Sequence, residues 1–164
     1  MNELQDELYD EIGLAEDGNQ FLTFLLAGEE YGVQILKVQE IKGFSAITPI
    51  PNTPAFIKGA MNLRGTVVPV VDLRERFGMV AGAYDRFTVI IVVMVGERIV
   101  GLVVDAVSDV LSITEEEIAP PPPLGHGVDT TFMTGMAKSK DKFVLLLDID
   151  AVLGEEMAAA LPAA

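Results

Sequence analysis

The sequence predicts an all-β fold of two small barrels packed together, with a few short helices. Three observations lead there. Short β-branched apolar runs alternate with hairpin punctuation, a tract of the chain recurs later at a constant offset, and residues 56–78 read as a rigid hairpin feeding a short helix.

The runs lie at 21–27, 31–35, 57–63, 66–71, 88–95, 99–104 and 143–147. Gly28-Glu29-Glu30, Gly96-Glu97 and Lys140-Asp141 mark turns between them. Residues 89–95 are apolar at every position, which suits a strand buried on both faces between two packed layers. The runs at 57–63 and 66–71 flank an Asn62-Leu63-Arg64-Gly65 turn, where Gly65 can take the positive φ a tight hairpin demands. Arg64 is thereby placed at the tip. Asp72 then opens a short helical segment as its N-cap, and Gly78 closes it.

The tract from Gly59-Ala60-Met61 through Val70-Val71-Asp72-Leu73 to Gly78 recurs 76 positions later. There it reads Gly135-Met136-Ala137 through Leu146-Leu147-Asp148-Ile149 to Gly154. The preceding parts correspond as well: Gly28-Glu29 with Gly96-Glu97, and Val38-Gln39-Glu40-Ile41 with Val107-Ser108-Asp109-Val110. Duplication predicts a first barrel unit at 20–85 and a second at 86–155. Residues 1–19 read as a mobile acidic tail or a frayed helix, and residues 156–164 as a short C-terminal tail. Pro120 to Pro123, with glycines at 125 and 127, reads as a stiff connector within the second unit.

Charge and composition exclude several functions. The net charge is −14, from 25 acidic and 11 basic residues, so phosphate backbones and anionic membrane surfaces are repelled. Residues 1–19 hold seven carboxylates and no cation. The absence of cysteine removes thiol nucleophiles and thiolate metal sites, and His126 is the one histidine, so neither a metal centre nor a cofactor is expected. No signal peptide is visible and the run at 88–95 is far too short to span a bilayer, so the expected address is the cytoplasm without direct membrane insertion. Asp105 with Asp109, and Glu115-Glu116-Glu117, are the candidate catalytic acids. Their surroundings read instead as a turn and as the first turn of a helix.

Val38-Gln39-Glu40-Ile41 and Val107-Ser108-Asp109-Val110 each hold two apolar residues three apart with an acid between. At helical spacing the apolar pair shares one face, and two such segments at a pseudo-symmetric junction would make a groove with an apolar floor and acidic edges. The competing reading makes Val38, Ile41, Val107 and Val110 simply core.

The stretch from Glu30-Tyr31-Gly32 through Val38-Gln39-Glu40-Ile41 resembles the CheW family, the coupling proteins of bacterial chemotaxis. So do Asn52-Thr53-Pro54-Ala55-Phe56-Ile57-Lys58-Gly59, the Asn62-Leu63-Arg64-Gly65 turn with Val68 to Arg74, and Val103 to Leu111. The similarity covers about residues 20–154. It implies a non-enzymatic adaptor built of two SH3-like five-stranded barrels, recruited to receptor arrays at the inner face of the membrane. The implied partners are the regulatory domain of a CheA-type histidine kinase and the helical cytoplasmic tip of methyl-accepting chemoreceptors. Carried over by position, the receptor-facing groove comprises Val38, Glu40, Ile41, Arg64, Val107 and Val110. The kinase contact lies near Ile47, Thr48, Pro49 and Pro51. Some relatives of this kind serve pilus motility or gene regulation instead. A ligand-binding barrel of another class is the remaining alternative; its nucleic-acid version would need the basic groove and stacking aromatics that this chain lacks.

Overall fold

In the computed structural model, which describes residues 20–80, 82–120, 130–139 and 141–160, the β-branched runs become strands and the glycine-bearing breaks become tight turns. The tail 1–19, the prolines beyond Pro120 together with His126, Lys140 and residues 161–164 lie outside the described residues. The strands are β1 (Gln20–Leu26), β2 (Glu29–Gln34), β3 (Val38–Gly43), β4 (Ile57–Leu63) and β5 (Thr66–Asp72), followed by helix α1 (Leu73–Arg76). The second half runs β6 (Val89–Val95), β7 (Arg98–Val104), β8 (Ala106–Ser112), β9 (Ile118–Ala119), β10 (Met133–Ser139) and β11 (Lys142–Leu147), then helix α2 (Ile149–Ala160). The first hairpin turns on Ala27 and Gly28, with Glu29 and Glu30 already in β2. Its φ angles of 51° and 84° match those of Arg64 and Gly65, 51° and 88°, at the β4–β5 turn. Two consecutive positive φ values suit the right-handed twist of the flanking strands.

The repeat is reproduced in three dimensions. Asp72 accepts a hydrogen bond from the Glu75 amide, and Asp148 from the Ala151 amide, each at 3.3 Å. Asp72 N–H donates to the Phe56 carbonyl and Asp148 N–H to the Phe132 carbonyl, both at 2.8 Å. In α2 the backbone kinks at Gly154, the counterpart of Gly78.

The strands form two sheets, ordered β8-β1-β2-β11-β10-β9 and β3-β6-β7-β5-β4. The expected division at 20–85 and 86–155 therefore needs correction, because each half lends its first hairpin to the other's sheet. β2 lies parallel to β11, and β5 parallel to β7. The exchange satisfies the strands that are apolar on both faces. In β6, Ile90 and Val92 face a cluster with Met61, Leu63, Val68, Val70 and Val103, while Ile91 and Val93 face the large cluster shared by both sheets. In β11, Val144 and Leu146 join Phe21 and Ile113, while Leu145 and Leu147 join the shared cluster.

Each sheet curls so that its ends are linked by chain. Beyond β3, Thr48 pairs with Ala60 of β4 through two hydrogen bonds of 2.8 Å. Beyond β8, a 3-10 turn at Glu115–Glu117 leads into β9, which pairs with β10. Close backbone approach makes both closures possible. A Cβ on Gly59 would lie 2.1 Å from the Thr48 oxygen, and one on Gly135 would lie 2.7 Å from the Ala119 oxygen.

Candidate partner-binding site

Side chains on a strand alternate between faces, so residues three apart ordinarily point opposite ways. Val38 and Ile41 share a face nonetheless. Val38 lies opposite Val93, Glu40 opposite Val92 and Ile41 opposite Ile91, which leaves Gln39 as an extra, bulged residue. Because Val93 and Ile91 are two apart, the residues opposite them fall on one side. β8 repeats the device: Val107 lies opposite Phe24 and Val110 opposite Leu22, with the extra residue at Ser108. The helical spacing expected for these two segments is thus corrected. Both are β-strands, favoured by their β-branched residues, and a bulge supplies the three-residue repeat that a helix would have given.

Ile41 is buried in the shared core, and Val38, Val107 and Val110 are half-buried against it. β3 and β8 each end a sheet. Ile41 therefore serves the core, while Val38, Val107 and Val110 pack against the core and keep part of their surface at the sheet margins.

The polar members of the expected groove meet directly. Arg64 Nη2 donates to Glu40 Oε1 at 2.6 Å, with the arginine side chain 74% exposed and the glutamate 13%. The Asn62 side chain accepts from the Gly65 amide at 2.8 Å and holds the turn. A half-sheltered carboxylate on one end strand thus steers an exposed guanidinium on a rigid tip beside the other end strand.

Among the residues expected at the kinase contact, Ile47 packs against the core of the five-stranded sheet and Thr48 spends its backbone on closure. Pro49 and Pro51 are exposed.

Three of the candidate catalytic acids, Asp105, Asp109 and Glu117, have other work. Arg74 clamps Asp105 through Nε–Oδ1 at 2.8 Å and Nη2–Oδ2 at 2.5 Å, and the Ala27 amide donates to Oδ2 at 2.9 Å. Burial opposes ionisation of Asp105, but the Arg74 and Ala27 hydrogen bonds outweigh it and hold the carboxyl below its usual range. The pair is legible only in three dimensions. Parallel pairing sets Asp72 opposite Val103, so the residues two further along the chain just past each strand, Arg74 and Asp105, come together. Asp109 accepts from its neighbour, the Val110 amide, at 2.8 Å. Glu117 reaches back to the Thr114 amide and hydroxyl at 3.1 and 2.9 Å, which cap the turn and lower the glutamate's pKa.

Comparison with known proteins is consistent with this architecture. The family profile of the CheW-like domain matches residues 20–157. Over 142 residues the chain is 50% identical to the chemotaxis protein CheW of Klebsiella aerogenes, covering 86% of each chain. It is 38% identical over 143 residues to the chemotaxis protein CheW of Rhizobium meliloti, covering 87% of this chain and 92% of the relative. Among solved structures, the scaffolding protein TtCheW of Thermoanaerobacter tengcongensis superimposes with a TM-score of 0.78 at 38% identity. That alignment covers 87% of this chain and 92% of the other.

Proposed function

Because the chain belongs to the CheW-like family, we propose that it couples methyl-accepting chemoreceptors to a CheA-type histidine kinase and promotes receptor-controlled kinase activity. The chain is a non-enzymatic adaptor, in keeping with its family and its scaffolding neighbour. The receptor's helical tip docks on Val38, Ile41, Val107 and Val110, while Glu40 and Arg64 fix its register. The observation that supports this reading is the pair of bulged end strands, which sets Val38 beside buried Ile41 on one face of β3 and Val107 with Val110 on one face of β8, leaving Val38, Val107 and Val110 half-buried. An amphipathic helix recognises such a surface by its apolar edge, and a fixed charge beside it selects orientation. The kinase regulatory domain engages a separate face that includes Pro49 and Pro51. The protein works in the cytoplasm, at receptor arrays on the inner face of the membrane.

Sedimentation with receptor-bearing membranes and a CheA-type kinase tests the proposal. Pelleting with kinase stimulation is the expected result. Pelleting without stimulation would favour a related pathway, and failure to pellet with either partner would overturn the coupling role.

A further inference from the structure

Arg74 and Asp150 stand at equivalent places in the repeat, each two residues past the Asp that caps its helix. Both reach the other half of the chain and hold the residue that immediately precedes a bulged end strand. Arg74 holds Asp105, just ahead of β8, and Asp150 holds Lys37, just ahead of β3. The two ion pairs are reciprocal, with their signs reversed. Their grip differs. Lys37 Nζ meets Asp150 Oδ2 at 3.5 Å, with side chains 36% and 57% exposed, and a pair so open to solvent fixes little. Arg74 engages every nitrogen of its guanidinium: besides the fork on Asp105, Nη1 donates to the Val80 carbonyl at 3.4 Å. A Cβ on Gly82 would lie 2.9 Å from Arg74 Cζ and Nη1, so a glycine there lets the backbone lie against the guanidinium. Asp105 in turn donates its N–H to the Leu25 carbonyl at 3.0 Å, beside the Leu25–Ala106 pairing that opens β8.

We propose that Arg74 is a positioning residue for the receptor-binding surface. Seated by Val80 and Gly82, it fixes the entry of β8 and with it the presentation of Val107 and Val110, whereas the Asp150–Lys37 pair leaves the entry of β3 adjustable. The link to binding rests on the docking surface assigned under the proposed function; the anchoring of β8 does not. An anchor biases a surface only as strongly as it holds, so the bidentate pair matters to recognition and the exposed pair scarcely does. A strand already held in place binds without first having to be ordered.

Gly82→Ala tests this without removing a charge. The added carbon meets the far end of a flexible side chain, so Arg74 is expected to swing off Asp105 while the backbone stays in place. Hydrogen exchange of the full-length protein, read by NMR, should show the β8 amides bonded to β1 exchanging about tenfold faster, with those of β6 unchanged. Affinity for a purified receptor hairpin should fall about fivefold, and affinity for the kinase regulatory domain should stay within about twofold. Arg74→Gln should lower receptor affinity similarly, and combining it with Gly82→Ala should add nothing, because both act through one side chain. Lys37→Gln should leave β3 exchange and receptor affinity within about twofold of wild type. Faster exchange across both sheets, or equal loss of both partners, would make Arg74 merely structural and overturn the proposal. Unchanged receptor affinity despite faster β8 exchange would overturn it too, as would a Lys37→Gln effect as large as that of Gly82→Ala. If the wild type binds no receptor while β8 exchange still quickens selectively, the receptor reading falls and the anchoring of β8 stands.

Discussion

Arg76 and Val152 occupy equivalent places in the two halves of the chain, and they touch: Arg76 Nε donates to the Val152 carbonyl at 2.7 Å. The same guanidinium lies over Phe56 and Phe132, themselves an equivalent pair, at 5.0 and 4.7 Å from the ring centroids. A contact between equivalent positions falls on the pseudo-two-fold axis, where there is room for one large side chain and not two. The repeat has accordingly diverged to arginine on one side and valine on the other.

Arg76→Ala removes a charge-assisted hydrogen bond and two cation–π contacts. The expected loss is about 2–3 kcal/mol, equivalent to a fall in Tm of roughly 5–10 °C for a chain of this size. Thermal unfolding followed by circular dichroism measures it, and Arg76→Lys should recover only part, because an ammonium cannot present a planar face to both rings.

The Arg74–Asp105 clamp should impose an acid dependence on stability. The folded Asp105 has a depressed pKa, so the unfolded chain binds more protons as pH falls below the ordinary carboxylate value. The clamp's contribution is complete above about pH 4–5 and is lost as pH falls through the folded pKa. Asp105→Asn is expected to cost about 1–2 kcal/mol at pH 7, and the difference from wild type should shrink towards pH 3 in urea titrations.

Gly59→Ala and Gly135→Ala both strike the barrel closures. At Gly59 the added carbon meets backbone at 2.1 Å with φ at 145°, so neither sterics nor conformation permits it. At Gly135 the nearest atom is the Ile118 Cγ2 at 2.4 Å, which can rotate, although the Ala119 carbonyl cannot. Losses of about 3–4 kcal/mol at Gly59 and 2–3 at Gly135 are expected from denaturant midpoints.

Arg64 allows stability and binding to be separated. Its φ of 51° suits glycine, and its own side chain is largely exposed, although its partner Glu40 is sheltered. Arg64→Gly should therefore leave stability within about 1 kcal/mol of wild type, or slightly raise it, while weakening receptor binding roughly tenfold. A large drop in Tm would instead make the arginine a structural residue.

The sequence by itself determined what depends on near neighbours. β-branched runs and turn residues located the seven expected strands to within one or two residues, Asp72 and Asp148 announced their caps, and the constant offset announced the repeat. The spacing of Val38 to Ile41 and of Val107 to Val110 correctly put each pair on one face, but the bulges that achieve it on a strand left no local mark. A bulge exists only relative to the partner strand. The exchange of hairpins, the Arg74–Asp105 clamp and the meeting of Arg76 with Val152 likewise depend on which strands lie side by side. Tertiary structure decided these, because burying strands that are apolar on both faces is a requirement of the whole molecule and sets the register that brings distant charges together.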